Sequence, residues 1–431
     1  MKSRVILLLS FLLATLVTVM VLGSLSCDRG AITLENMVWV RQFGTSEDDY
    51  AHTIVADELG NIYVAGFVSG TLPGQASSGS SDAYIAKYDA SGNMVWTRQF
   101  GTSDYDFVLA MAADGSGNIY MAGETNGTFP GQTSSGQPDA FIAKYDTSGD
   151  EVWRRQFGVS GTDLANAMVA DGSGNIYVAG YTEGTFPGQT SSGNGNAFVA
   201  RYDTLGNLVW TRQFDTLVGD GVKAMVADGS GNIYVAGYTM GTPPDLSGFG
   251  DVFIARYDNL GNQVWIRQVG TNGTDMAGAM VADGLGNIYV VGNTGATMIE
   301  DTLITSGGAF IARYDTLGNE VWMREFDTSG DVYAGALTVD ESGNIYVAGD
   351  TNGTFPGQTS SGGPDAFIAK YDTSWNEVWT RQFGTRGAEG VKAMISDGSG
   401  NIYLAGYILG TSFPGQTPSG RYDAFIMKIV E

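Results

Sequence analysis

A tryptophan recurs at a nearly fixed interval through most of the chain, and this period constrains the fold more than any other feature. Neighbouring members of the series are 57 residues apart, except for one pair that is 55 apart. A period near 50 residues is typical of repeat architectures, and β-propeller blades take about 40–50 residues each. The series comprises Trp39, Trp96, Trp153, Trp210, Trp265, Trp322 and Trp379.

Each period contains four short runs that are rich in β-branched and aromatic residues, as strands are. The links 171–175 and 203–207 of the third period carry Asp at the start and Gly-Asn at the end. They predict tight hairpins, because Gly supplies a positive φ and Asp accepts hydrogen bonds from turn amides. Each period is therefore predicted to form a four-stranded antiparallel sheet. In the third period the runs are 166–170, 175–179, 197–202 and 208–214.

The second run of each period, such as Ile-Tyr-Val-Ala at 176–179, is apolar at both alternating positions. A sheet with one solvated face would alternate apolar and polar residues instead. Both faces of each sheet must therefore be covered, and radial stacking of blades achieves this.

The number of runs predicts how the ring closes. The second and third runs occur seven times each, but the first copy of the tryptophan run, 38–43, precedes any other run, and none follows the last third run. The amino-terminal run is therefore predicted to complete the last sheet. The fold class is all-β, a closed seven-bladed β-propeller of four-stranded antiparallel blades over residues 35–431.

Three motifs resemble a known family. Asp-Gly-Ser-Gly-Asn-Ile-Tyr-Val-Ala-Gly, Asp-Ala-Phe-Ile-Ala-Lys-Tyr-Asp and Gly-Asn-x-Val-Trp-x-Arg-Gln-Phe-Gly-Thr are similar to the SBBP β-propeller repeat, over roughly residues 36–431. The resemblance implies a bacterial secreted or surface protein. It implies no ligand, because the family has no shared chemistry.

The amino-terminal segment 1–26 predicts export. Lys2 and Arg4 precede a long apolar run, which is typical of a signal peptide or a membrane anchor, and 27–34 forms a short linker. Cys27 is the only cysteine and resembles a bacterial lipidation site: Ser26 fits that motif, whereas Leu25 does not. We expect an exported protein that is secreted or held at the cell surface, with membrane contact only through this segment or through a lipid on Cys27.

Charge and composition exclude some functions. The formal net charge of −24 repels nucleic acid. His52 is the only histidine, no Gly-x-Ser-x-Gly elbow occurs, and the vicinal cysteine pair typical of quinoprotein propellers is absent. The sequence therefore predicts a protein that is not an enzyme and has no cofactor, with Ca²⁺ as the one ion its carboxylates would suit.

The two ends of the blades differ in their links. The tight hairpins lie at one end, whereas the links between second and third strands and the crossings between blades lie at the other, here called the long-loop face. Binding residues tend to lie on loops that a rigid scaffold holds, so this face is the candidate binding face. An acid recurs near the start of each first strand on this face. The candidate binding residues are Asp49, Asp106, Asp163, Asp220, Asp275, Asp331 and Glu389.

Two interpretations of these acids stay open. They form a cation site at the mouth of the channel, or each one accepts backbone amides locally and serves the repeat. For the whole protein, the sequence favours a monomeric, non-enzymatic binding or scaffold module that recognises a surface protein or a glycan. The alternative is a carbohydrate-active hydrolase that uses the acids at the channel mouth.

Two further residue sets carry structural expectations. An arginine follows each tryptophan of the series by two positions, as Arg212 follows Trp210, and stacking of the guanidinium on the indole is expected. Trp375 replaces the hairpin glycine of the sixth period, where a positive φ is unfavourable for a bulky residue, so a change in that turn is expected.

Overall fold

A computed structural model describes residues 37–430 except 172–173, 192–194, 215–218, 229, 241–249, 271–273, 296, 300–301, 306 and 327. The predictions for the export segment, the linker and Cys27 lie outside the described residues. In the described part of the chain, no helix is long and apolar enough to cross a membrane.

The described residues form seven four-stranded antiparallel sheets, which confirms the predicted blades. Blade 1 contains β2 (Asp49–Ala56), β3 (Ile62–Val68), β4 (Asp82–Tyr88) and β5 (Met94–Phe100). Blade 2 contains β6 (Asp106–Ala113), β7 (Ile119–Thr125), β8 (Asp139–Tyr145) and β9 (Glu151–Phe157). Blade 3 contains β10 (Asp163–Ala170), β11 (Ile176–Thr182), β12 (Asn196–Tyr202) and β13 (Leu208–Phe214). Blade 4 contains β14 (Asp220–Ala227), β15 (Ile233–Thr239), β16 (Asp251–Tyr257) and β17 (Gln263–Val269).

The remaining blades follow the same order. Blade 5 contains β18 (Met276–Ala282), β19 (Ile288–Thr294), β22 (Gly308–Tyr314) and β23 (Glu320–Glu325), with the hairpin β20 (Thr297–Ile299) and β21 (Thr302–Thr305) in its long link. Blade 6 contains β24 (Val332–Val339), β25 (Ile345–Thr351), β26 (Asp365–Tyr371) and β27 (Glu377–Phe383). Blade 7 contains β28 (Ala388–Ser396), β29 (Asn401–Leu409), β30 (Tyr422–Val430) and β1 (Met37–Phe43).

The ring closes as the strand count predicts. Strand β1 pairs antiparallel with β30, with Arg41 opposite Ile426 and Phe43 opposite Ala424. The first strands of neighbouring blades contact one another around the whole ring, and β2 meets β28 across the closure. The amino-terminal segment therefore supplies the outermost strand of the last blade.

The core lies between the blades. In β3 the residues 62–65 are fully buried, which confirms that both faces of the second strand are covered. One core cluster joins Tyr120 and Ile142 of blade 2 to Met168 and Phe198 of blade 3. Each sheet is thus covered by its neighbours, which is why its second strand is apolar on both faces.

The tryptophan of each outer strand packs against the next blade. Trp210 donates through Nε1 to the carbonyl of Asn259 at 3.4 Å, and its ring lies against Gly261, whose φ is 79°. Arg212 lies 5.3 Å from the Trp210 ring centroid, which confirms the expected stacking, and donates through Nε to the carbonyl of Gly261 at 2.9 Å. A Cβ at Gly261 would collide with the indole. The glycine is therefore required by space as well as by its φ.

Blade 6 departs from this arrangement at Trp375. This residue has a φ of 62°, yet its amide still donates to the carbonyl of Asp372 at 2.9 Å, so the turn keeps the hydrogen bond of the other hairpins. Its ring stacks on Tyr371 at 3.7 Å and contacts Trp322 at 4.9 Å between centroids. Aromatic stacking offsets the backbone strain at this position.

We expect Trp210→Ala to lower the free energy of unfolding by about 3 kcal/mol, because it removes a packed indole and leaves the Gly261 turn without its partner. Val209→Ala is the matched control, since Val209 on the same strand is 50% exposed. Equilibrium denaturation of both variants checks this. Equal losses in the two variants would contradict a structural role for the indole.

Candidate functional site

A cavity of about 1050 Å³ lies on the axis of the ring. Its wall is formed by the first and second strands of the blades and by residues of the long links, including Pro138, Thr162 and Pro364. All of these links belong to the long-loop face. The cavity therefore lies at the end of the channel that the sequence identified as the candidate binding face.

A β-bulge in each first strand shapes this cavity. The pairing of the first with the second strand skips one residue at the same place in all seven blades. A bulged residue has no partner across the ladder, and bulges re-aim side chains beside functional sites. All seven skipped residues line the cavity, and we call them the bulge ring. They are His52, Leu109, Asn166, Lys223, Gly278, Gly335 and Lys392.

Two members of the bulge ring bind the neighbouring blade. His52 places Nδ1 3.2 Å from the carbonyl oxygen of Val108, and Asn166 donates through Nδ2 to the carbonyl of Val222 at 3.1 Å. Burial, together with nearby Lys392, lowers the pKa of His52 to about 4, against the opposing effect of the Val108 carbonyl. His52 is therefore neutral at pH 7.

Half-buried aromatic side chains from blades 7, 1 and 2 form one side of the cavity. The ring centroids of Phe67 and Phe107 are 4.5 Å apart, and Tyr50 lies 5.1 Å from Phe67, 5.3 Å from Tyr407 and 5.0 Å from Tyr422. Phe67, Phe107 and Tyr407 line the cavity itself. We call these five residues the aromatic arc.

Polar side chains form another part of the wall, and we call them the polar arc: Asp331, Tyr333, Asp350, Asn352 and Lys392. Lys392 Nζ lies 3.9 Å from Asp350 Oδ1 and 4.4 Å from the Tyr333 ring centroid. Asn352 donates through Nδ2 to Asp331 Oδ2 at 3.0 Å. Burial raises the pKa of Asp350, and Lys392 counteracts part of this rise. The cavity thus has an apolar side and a side with both donors and acceptors.

The seven acids predicted from the sequence fall into two groups. Asp331 lines the cavity. The other six are at most 1% exposed, lie at or next to the start of the first strands, and do not line the cavity: Asp49, Asp106, Asp163, Asp220, Asp275 and Glu389.

The buried acids hold the crossings between blades. Asp49 accepts from the amide of Thr45 at 2.5 Å and from its hydroxyl at 3.0 Å. Asp163 accepts from the amide of Val159 at 2.8 Å, and Glu389 from that of Thr385 at 3.0 Å. These contacts match the interpretation in which each acid accepts backbone amides locally and stabilises its own repeat. The predicted binding role of the six stays a prediction. Among the described residues, no group of three or more His, Cys, Asp or Glu side chains is placed to hold a metal ion.

A second acid lies beside each of several of these carboxylates. Around Gly101, a Cβ would collide with oxygens of both Asp82 and Asp106. Asp82 in turn accepts from Gln99 Nε2 and from the amide of Ser78, both at 2.8 Å, which ties down the long link. Each pair of acids therefore binds two loops of the long-loop face, the crossing between blades and the link between the second and third strands. The two loops meet beside one glycine.

We call each set of a glycine position and its two neighbouring acid positions a junction. The residue types at a junction vary together from blade to blade. Five junctions have glycine and two acids. Asp215 and Asp327 replace the glycine at the other two, where the acid pair becomes Asn196 with Asp220, or Gly308 with Val332. No junction carries all three acids, as expected if buried carboxylates repel one another. The five glycines are Gly44, Gly101, Gly158, Gly270 and Gly384.

The bulge ring and the aromatic arc were not identified from the sequence, although a signal for the ring was present. The residues that align with His52 are of five types in seven blades, and within the first strand only the position of Tyr50 varies as much. A position that varies between repeats has no structural role common to all of them, so its residue type is free to serve specificity. The aromatic arc combines side chains from three blades, and no single repeat contains it.

A family model for the SBBP β-propeller repeat matches residues 38–66, 95–130, 152–187, 264–298, 321–356 and 378–414. Among curated proteins, the regulatory protein FlaEY of Caulobacter vibrioides is 29% identical over 40% of this chain and 20% of its own length. The uncharacterized WD repeat-containing protein L264 of Acanthamoeba polyphaga mimivirus is 22% identical over 88% of this chain and 36% of its own length. The chain thus spans about a fifth and about a third of these two relatives.

Solved structures share the fold. Hydrazine synthase of Kuenenia stuttgartiensis matches with a TM-score of 0.53 and 11% identity, over 85% of this chain and 97% of that chain. A polysaccharide lyase of the ulvan lyase family PL25 matches with a TM-score of 0.50 and 15% identity, over 90% of this chain and 96% of that chain. At these identities the likeness establishes the propeller fold alone.

We expect the protein to be more stable at pH 5 than at pH 8. Burial raises the pKa of Asp49 to about 7 and those of Asp163 and Glu389 to about 6, and a neighbouring acid adds to each rise. The folded state therefore holds protons that the unfolded state loses near pH 4, and this stabilisation disappears as the pH rises through 6 to 7.

Denaturation curves at both pH values measure the effect. The free energy of unfolding is expected to fall by roughly 2 kcal/mol or more between pH 5 and 8. Asp49→Asn should reduce the fall, whereas Asp104→Asn, at an exposed acid, should leave it unchanged. A stability that rises towards pH 8 would contradict the burial of protonated carboxyls.

Proposed function

Because the chain is an SBBP-type β-propeller repeat protein, we propose that it is a non-enzymatic binding module that takes its ligand into the axial cavity from the long-loop face. The observation that carries this proposal is the bulge ring. Seven structurally equivalent residues, two of them glycines, line one cavity, and their types differ between blades.

The scaffold around the cavity supports this function. The first strands are held in a closed ring, and the acid pairs fix the loops that surround the opening. A binding site whose side chains are already held in place loses little conformational entropy when the ligand binds. The cavity, at about 1050 Å³, is also slightly larger than the range of about 300–1,000 Å³ that is typical of ligand pockets.

The amino-terminal segment supports a site of action outside the cytoplasm. Lys2 and Arg4 with the apolar run support export, and Cys27 supports anchoring through a lipid. The ligand would then be a polymer of the cell surface or its surroundings, either a protein or a glycan.

One observation favours a second function. Asp331 and Asp350 line the same cavity, and burial raises the pKa of Asp350 while Lys392 lowers it. Glycoside hydrolysis uses two carboxyl groups, one of which has a raised pKa. A carbohydrate-active hydrolase is therefore the alternative, with these two acids rather than the buried ones as its candidates.

We expect the chain recovered from the envelope of a bacterial host to begin at Cys27 and to carry acyl chains. Mass spectrometry of the mature amino terminus measures this directly. Cys27→Ser should abolish the acylation. A chain that begins at Met1 and stays in the cytosol would contradict export.

We expect the full chain to bind a glycan or a surface protein on arrays, and Leu109→Trp to reduce that binding at least tenfold because the indole fills the cavity. Leu285→Ala is the control, since Leu285 is 84% exposed in a tight turn at the opposite face. Equal denaturation midpoints establish that the variants are folded. Binding that survives Leu109→Trp would overturn the proposed site.

A hydrolysis screen of the bound glycan separates the two functions. No turnover is expected. Turnover that Asp350→Asn abolishes would overturn the non-enzymatic proposal in favour of the hydrolase.

A further inference from the structure

We propose that the ligand is a neutral oligosaccharide, with a sugar ring on the aromatic arc and its hydroxyl groups on the polar arc. This inference rests on the proposed function and specifies its ligand. Residues of both arcs line the same cavity. A cavity with an apolar side and a polar side suits a molecule with apolar faces and polar edges.

The aromatic arc offers the first contact. Phe67, Phe107 and Tyr407 are half-buried and line the cavity, so part of each ring is open to a ligand. The face of an aromatic ring carries partial negative charge, which attracts the weakly positive C–H groups of a sugar face. Contacts with Tyr50 and Tyr422 hold the rings in position, so few rotamers are lost on binding.

The polar arc offers matching groups for hydroxyls, which both donate and accept. The separation of 3.9 Å between Lys392 Nζ and Asp350 Oδ1 is wider than the roughly 2.7–2.9 Å of a direct charge-assisted hydrogen bond. A hydroxyl placed to one side of this pair can accept from Lys392 and donate to Asp350, because an oxygen about 2.8 Å from both atoms bridges them. Asp331, beside Asn352, supplies a further acceptor.

The charges of the cavity favour a neutral ligand over an anionic one. The cavity is lined by two lysines, Lys223 and Lys392, and by three acids, Glu124, Asp331 and Asp350, so its basic residues do not outnumber its acidic ones. His52 adds no positive charge at pH 7, because its pKa is about 4. The protein as a whole carries −24, which repels an acidic polymer.

The backbone of the wall disfavours a peptide. An extended peptide binds by adding a strand to an open sheet edge. Here a bulge interrupts each first strand, and the carbonyls of Val108 and Val222 already have side-chain partners in His52 and Asn166. A sugar needs no such ladder of backbone groups.

Calorimetric titration of the full chain with cello-, xylo- and mannohexaose tests this inference. At least one of the three is expected to bind. Phe67→Leu, which keeps apolar volume but removes the aromatic face, should weaken binding at least tenfold, and Phe67→Tyr should restore it. Lys392→Met should also weaken binding at least tenfold, whereas Leu285→Ala should have no effect. The denaturation midpoint of each variant reports on folding.

The outcomes separate this inference from the proposed function. Failure of all three hexaoses to bind overturns the neutral sugar. If oligouronates or a surface protein bind instead and Leu109→Trp abolishes that binding, only the ligand class is wrong. If a hexaose binds equally well to Phe67→Leu, the aromatic arc is not its site. If any bound ligand is unaffected by Leu109→Trp, both proposals fail.

Discussion

The pairing of β1 with β30 holds the ring closed, and the cavity depends on that closure. Without β1, blade 7 would have three strands, and the outer edge of β30 would be open to pairing with other chains. The same strand brings Trp39 and Arg41 to blade 1, where Arg41 donates through Nε to the carbonyl of Gly92 at 2.8 Å. One segment thus completes a sheet and binds the first blade. This closure costs the entropy of closing one long loop, and that entropic cost grows slowly with the length of the loop.

The two ends of the propeller use polar residues for different purposes. At the tight turns, aspartates such as Asp203 accept the amides of their own hairpin and remain partly exposed. At the long-loop face, acids such as Asp49 are buried and bind the amides of the crossings between blades. Burial of an ionised carboxyl is unfavourable, so the pKa of Asp49 rises, whereas hydrogen bonds from the Asn207 side chain and from turn amides lower the pKa of Asp203.

The candidate site arises where the repeat is locally broken. A bulge frees one residue in each first strand from pairing, and the chain uses those residues differently: His52 and Asn166 link neighbouring blades, while Lys392 approaches Asp350. Tyrosine rings of the second strand lie over glycines of the first strand, as Tyr407 does over Gly390 and Tyr238 over Gly221, and Tyr407 also lines the cavity. Variation at a few positions thus changes the cavity without changing the blade.

The sequence by itself determined the number of blades, their four strands, the closure by the Trp39 segment and the face with the long loops, because spacing, turn residues and hydrophobic pattern are local and recur seven times. It also singled out the seven acids, of which only Asp331 lines the cavity. Which side chains meet on the axis was decided by the tertiary structure alone. The position of Phe67 beside Phe107, or of Lys392 beside Asp350, depends on the radial packing of separate blades and on a β-bulge that no short sequence motif predicts.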